Sequence, residues 1–362
     1  MRRDTRTTLI AGVGATIIIV LGCTLDRRDF LGSYLFAFLF CLGLSLGAMA
    51  NLMLHELTGG RWGLPVRQPW TAALRLVPLN IILFVPLLSG LPLVYHWIGS
   101  SSPEVTLKHW WLNRTFFLSR AIVYFLIWTL LAWRWQSIAA RSTEVRPASL
   151  RRWSAFGLIV YGLTVSLAAV DWIMSLMPEW YSTTFGLLIG TSQMLSGMAL
   201  GTAACAFSNV TRLEAARLQD FGNLLLMYVM SWAYLAFTQY LVIWAEDLPK
   251  ETAWFVPRVQ TSWRWLTLVV LILQFALPFV LLLLRAVKRT SRYLGPLALS
   301  LLLGQLLFEF YLVMPALKPG GFSLSWSDPI APLAVVGFWL TAWLRNLRMP
   351  PPRNAQPIPT PS

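Results

Sequence analysis

About ten apolar stretches, each near the ~20 residues needed to cross a bilayer, dominate this chain. They lie near residues 8–24, 30–54, 71–98, 116–135, 153–176, 185–207, 221–246, 263–285, 294–314 and 329–347. Inside lipid every backbone N–H and C=O must find a partner within the protein, and stretches of this length and character satisfy that demand as helices. The expected fold class is an all-α integral membrane protein with about ten transmembrane helices. The stretch over 71–98 carries Pro78, Pro86 and Pro92, which predicts one long kinked helix.

Composition leaves little room for anything else. The 362 residues are 57% hydrophobic and 12% charged, with a mean hydropathy of +0.61, so the expectation is one polytopic domain over 1–348 and a Pro-rich, disordered cytoplasmic tail over 349–362. Arg2, Arg3 and Arg6 ahead of a run ending at Gly22-Cys23 imitate a lipoprotein signal, but the large Leu21 argues for an uncleaved first helix. A net charge of +14 invites a nucleic-acid reading. The basic residues instead sit in short clusters beside apolar runs, as membrane topology requires, and no basic domain or stripe is present. Cys23, Cys41 and Cys205 are far apart inside apolar runs and define neither disulfide framework nor metal motif.

The clusters also set orientation. Arg141, Arg146, Arg151, Arg152, Arg285, Lys288, Arg289 and Arg292 fall on one side, which places both termini in the cytoplasm. The segments around 24–29, 99–115, 177–184, 247–262 and 315–328 then share the outer face. Trp110, Trp111, Trp180, Trp254, Trp263 and Trp326 gather there as expected interfacial anchors.

One of those segments concentrates polar chemistry. From Asp171 to Gly186 an acid, two Trp, Tyr181, Ser182 and Thr183 stand between two apolar runs, and a carboxylate in an apolar helix is a functional hypothesis by default. A faint repeat gives it a counterpart: Asp171-Trp172 before Met177-Pro178 resembles Glu309-Phe310-Tyr311 before Met314-Pro315, and Arg120 corresponds to Arg264. This predicts two four-helix bundles, helices 2–5 and 6–9, with helices 1 and 10 peripheral. Arg120 with Asp171, and Arg264 with Glu309, are expected either to pair or to handle protons, with Glu179, Glu246 and Tyr181 as further outer-side candidates for proton handling or quinone contact. Tyr181, Ser182 and Thr183 either donate to a ligand headgroup or cap the next helix. On the inner side His55, Glu56, Arg61 and Asp220 are the candidates, with Gly59 and Gly60 shaping a turn after the second helix.

What is missing narrows the chemistry. Three histidines, His55, His96 and His109, cannot build two transmembrane bis-histidine haem sites, and there is no CxxCH motif, P-loop or metal cage. The chain is expected to carry no redox cofactor or metal of its own.

Four segments together carry a resemblance: Leu54-His55-Glu56-Leu57-Thr58-Gly59-Gly60-Arg61-Trp62-Gly63, Asp171 to Gly186, Phe221-Gly222-Asn223-Leu224-Leu225, and Ser231 to Thr252 with its Trp232, Tyr234, Gln239, Tyr240 and Trp244. They resemble the NrfD/PsrC-like membrane subunits, and within them the ActF-like subunits of alternative complex III, a quinol:cytochrome c oxidoreductase. The resemblance implies residence in the bacterial inner membrane beside a sister NrfD-like subunit, an iron–sulfur/molybdopterin-like subunit and c-type cytochromes, with a terminal oxidase as a further partner. Haem and iron–sulfur clusters would belong to those partners, and the ligand here would be quinone or quinol, with proton translocation as an accompanying role. Such a subunit is not catalytic alone. The chain departs from the family pattern at Met177-Pro178-Glu179-Trp180, where Glu-Pro-His-Trp is usual, at His55-Glu56, where two histidines are usual, and at Glu309, one position beyond the usual Asp. Open alternatives are the anchor of another molybdo/iron–sulfur oxidoreductase, a secondary transporter, or a scaffold.

Overall fold

The computed structural model describes residues 2–141, 147–208, 213–246 and 252–349, with side chains from residue 6 onward; the expected tail beyond 349 lies outside the described residues. Among the described residues the fold is helical throughout. We number the principal helices α1 (Arg2–Leu25), α2 (Arg27–Thr58), α3 (Arg67–Leu74), α4 (Leu79–Leu88), α5 (Arg114–Arg141), α6 (Ala148–Trp172), α7 (Phe185–Ala206), α8 (Ala215–Glu246), α9 (Arg264–Leu283), α10 (Ser291–Leu317) and α11 (Ser327–Leu347).

Among the described residues eight helices are long and apolar enough to cross a membrane, and nine spans result if α3 and α4, bent by 44° at their break, count as one. α7 is a 22-residue helix but is absent from those eight. Its Thr191, Ser192, Gln193 and Ser196 dilute the apolar run, and protein rather than lipid covers most of it. The expected single kinked helix over 71–98 is corrected. The chain enters α3 already at Arg67, breaks before Pro78, and after Gly90 forms only a short turn at Leu91–Val94. Proline disfavours α conformation in the residue before it, so Pro78 ends a helix that mere kinking would have continued.

The centre is α2, whose membrane-length window is buried completely. Asp26 caps its start by accepting from the Asp29 N–H at 3.2 Å, and it ends where Gly59 and Gly60 adopt φ of 74° and 82°, conformations that few residues other than glycine take without strain. α7 crosses α2 where two glycines meet. A Cβ on Gly47 would lie 1.7 Å from the Gln193 carbonyl oxygen, and one on Gly197 would lie 2.5 Å from the Gly47 carbonyl carbon. Small residues permit this backbone approach, the usual solution where lipid supplies no hydrophobic force between helices. Asn51 fastens the crossing by donating to the Met194 carbonyl at 2.8 Å.

α11 is tied inward rather than peripheral. Ser33 donates to Asp328 at 2.6 Å, Trp339 donates to Ser45 at 3.1 Å and Gln68 donates to the Leu347 carbonyl at 2.7 Å. α1 matches its expected peripheral place, with only 11% of its apolar window buried.

The described parts of the five segments expected to share one face do meet at one end of the bundle, here called the far end. Lys318 pairs with Asp29 at 2.7 Å, Lys108 donates to the Pro178 carbonyl at 2.5 Å, and Trp180 stacks on Trp254 at 4.3 Å. The opposite, terminal end carries residues 6 and 348. Several far-end tryptophans are corrected from interfacial anchors to packing residues: Trp180, Trp254 and Trp263 are at most 2% exposed, whereas Trp110 and Trp326 remain on the surface.

Candidate functional site

The first far-end constellation is closed. Asp171 is wholly buried near the end of α6, and Arg120 of α5 grips it bidentately, Nε to Oδ2 and Nη2 to Oδ1, both at 2.7 Å. Tyr124 donates its hydroxyl to Oδ2 at 2.7 Å and Trp111 donates its indole N–H to Oδ1 at 3.0 Å. The guanidinium spends its remaining donors on the Trp111 carbonyl at 3.2 Å and lies 4.1 Å from the Trp111 ring centre and 4.2 Å from that of Phe116. Planar bidentate pairing with additional donors is the geometry in which a buried ion pair compensates its own desolvation. The Ser175 hydroxyl donates to the Asp171 carbonyl and closes the turn at Met174–Leu176.

The second constellation is open. Glu309 is buried on α10, but among the described residues it forms no ion pair, and its Oε2 has no hydrogen-bond partner. The expected Arg264–Glu309 pair does not form: Arg264 starts α9 on the surface, 5.3 Å from the Trp265 ring centre. The buried cation of this half is Arg258, in the turn Val256–Gln260, which donates to the carbonyls of Trp254, Leu312 and Tyr311 at 2.6, 3.0 and 3.3 Å and stacks 3.5 Å from the Trp254 ring centre. Burial pulls this guanidinium down to about 10, which leaves it charged at neutral pH. Sequence alone assigned Arg258 to an outer loop. Its one signal was the adjoining Pro257, which favours the first turn of a helix.

Between α8, α9 and α10, roofed by the Trp254–Val259 segment, lies a cavity of about 550 Å³. Trp232, Trp254, Phe255, Phe275, Phe308 and Tyr311 form much of its wall, while Gln239 and Thr267 supply polar atoms. The exposed Tyr234, Phe237 and Leu271 form a rim that joins the cavity to the apolar flank of the bundle. Mostly apolar walls with a few placed polar groups are the usual make-up of a small-molecule site, and the volume falls in the ordinary range of about 300–1,000 Å³. Glu309 stands on a different face of α10, in line with Gln305, which accepts from Ser192 of α7. The amide of Gln274, wholly buried where α9 loosens into a π turn over Ile272–Ala276, has no partner on either atom. Single π turns occur often at functional sites.

The other sequence-derived candidates fall outside both constellations. Glu179 and Glu246 are exposed. Tyr181 is 57% exposed, with the Lys108 ammonium 5.7 Å from its ring centre. Ser182 and Thr183 do not cap α7, whose N-cap is Thr184 without a side-chain bond. At the terminal end Glu56 pairs with Arg67 at 2.8 Å, both buried, and His55 faces the Gly60 carbonyl at 3.2 Å with its ring edge against Trp62. These contacts build the turn after α2. Arg61 is exposed, and Asp220 lies 3.8 Å from Arg217 one turn back on α8. Among the described residues no group of His, Cys, Asp and Glu has the arrangement of a metal site.

No family model matches the chain, and no curated protein matches it. Its placement among membrane proteins rests on the helices themselves, and the chemistry open to it rests on the two far-end constellations.

Proposed function

We propose that this chain is a membrane subunit of a respiratory quinol:cytochrome c oxidoreductase of the alternative complex III type, resident in the bacterial inner membrane, and that it engages quinol in the aromatic cavity between α8, α9 and α10. The observation that carries the reading is that cavity. A planar, weakly polar ring with an isoprenoid tail needs flat apolar walls, a lateral opening and one or two hydrogen-bonding groups, and the cavity offers all three. Gln239 is the group placed to orient the ring, while the Thr267 hydroxyl, which donates to the backbone carbonyls of Arg258 and Trp263, can only accept from it. Electrons would leave to haem and iron–sulfur centres on partner subunits, so the work of this chain is to bind, to orient and to accept protons. Glu309, buried on the face of α10 turned away from the cavity and without an ion-pair partner among the described residues, is the proton-handling candidate.

Two experiments test the reading. After mild solubilisation the chain should co-purify with haem- and iron–sulfur-containing subunits; a monodisperse protein that never associates with them counts against the assembly. A photoreactive quinone analogue should label α8 or α9 peptides that line the cavity, with labelling suppressed by excess quinone and by Val270→Trp, which fills the space. Labelling that ignores both competitor and variant sinks the assignment of the cavity. The alternative of a secondary transporter gains little, since the break between α3 and α4 has no match in α8, which runs unbroken over Ala215–Glu246.

A further inference from the structure

A second large groove lies on the other flank of the molecule and is unrelated to the cavity above. It runs between α1, α4 and α11, with a volume of about 730 Å³. Leu9, Val13, Ile82, Val85 and Phe338 form its apolar walls, and among the described residues Arg345 is the charged residue that lines it. On α1 it extends from Thr8 to Ile19, a rise of roughly 16 Å at about 1.5 Å per residue, close to half of a ~30 Å hydrocarbon core. One acyl chain reaching from a membrane surface to the midplane has that length.

The charge lies where a headgroup would. Arg345 is in the last turn of α11, at the terminal end, and among the described residues its guanidinium has no acidic partner. Arg6 is exposed at the same end, two residues before the groove begins on α1. Arg75 reaches this level from the break between α3 and α4, its Nη1 3.5 Å from the Asn346 carbonyl. The nearby acid Glu56 is already committed to Arg67. A cationic mouth over a leaflet-deep apolar slot matches one occupant, a phospholipid with an anionic headgroup.

We infer that the groove between α1, α4 and α11 is a specific binding site for an anionic phospholipid, with its phosphate at Arg345 and one acyl chain along α1. Such a lipid would cover part of the exposed face of α1, which packs along α11 on its other side.

The test is native mass spectrometry of the full chain in mild detergent, offered phosphatidylglycerol or phosphatidylethanolamine with identical acyl chains. Phosphatidylglycerol adducts should survive activation at least about fivefold better, as expected for one basic contact. Arg345→Gln should abolish that preference, Val85→Trp should weaken retention of phosphatidylglycerol by blocking the slot, and Arg289→Gln, elsewhere in the chain, should change nothing. Equal retention of the two lipids overturns the site, as does full preference in Arg345→Gln or equal loss in Arg289→Gln. If Arg345→Gln does not yield monodisperse protein, unaltered retention by Val85→Trp overturns it alone.

Discussion

Asp171 and Glu309 both stand in the far halves of long helices, α6 and α10, yet Asp171 accepts four hydrogen bonds while one oxygen of Glu309 accepts none. The cations differ in the same sense. Arg120 answers a carboxylate, whereas Arg258 is spent on three backbone carbonyls. Where charge meets charge, aromatic rings close over the pair and leave it fully enclosed. Where the acid and the cation remain apart, the helices leave a 550 Å³ cavity between them and the lipid flank. Two acids that the sequence sets in similar surroundings thus differ: one is locked in an ion pair and the other is left without one among the described residues.

The contrast can be broken by mutation, most forcefully at the closed half. Arg120→Ala strands a buried carboxylate and should cost about 3–5 kcal/mol, seen as a large fall in Tm in detergent. A fall no greater than that of a surface variant would mean the pair is not structural. Arg258→Met leaves the Trp254, Tyr311 and Leu312 carbonyls without their donor and should cost about 2–3 kcal/mol, with loss of the Trp180–Trp254 stacking signal in fluorescence. Glu309→Gln removes no ion pair and should shift stability by less than about 1 kcal/mol while lowering quinol turnover in the assembled complex. A Tm loss as large as that of Arg120→Ala would place Glu309 in the structural class and erase the distinction. The smallest effect is expected at His96, 3.1 Å from Arg28, where burial and then the adjacent guanidinium lower the imidazole below its ordinary 6.5. Its neutral form is the one the fold accepts, so its contribution is intact above pH 6.5 and weakens as the pH falls below that value. His96→Gln should flatten the acid side of a Tm–pH profile.

How much of this was legible follows from the physics of each element. Long apolar runs are read reliably because bilayer thickness fixes their length, and α2, α5, α8, α10 and α11 match the expected stretches with one or both ends extended by a few residues, while α6 starts earlier than expected and stops at Trp172. The α3–α4 break was less legible, since three prolines permit either a kink or a stop and only packing chooses. Arg120 with Asp171 was foreseeable because both charges lie in apolar helices at the same depth. Arg258 was not, because its partners are carbonyls, which every sequence position carries and none advertises. The Arg264–Glu309 expectation failed for a related reason: a charge at the first residue of a helix can turn to the surface, and Arg264 does.

The complete enclosure of α2 has a consequence for how the protein is made. α2 leaves the ribosome well before α11, and Ser45, deep within it, receives its bond from Trp339, 294 residues later. At about 5–20 residues per second, roughly 15–60 s separate the two. Throughout that interval Ser45 must reside in the membrane without its α11 partner, and for roughly the first half of it Asn51 also waits for the Met194 carbonyl of α7, 143 residues later. The most protected helix of the finished molecule is therefore long exposed during synthesis, and insertion machinery or lipid must shelter it until α11 arrives.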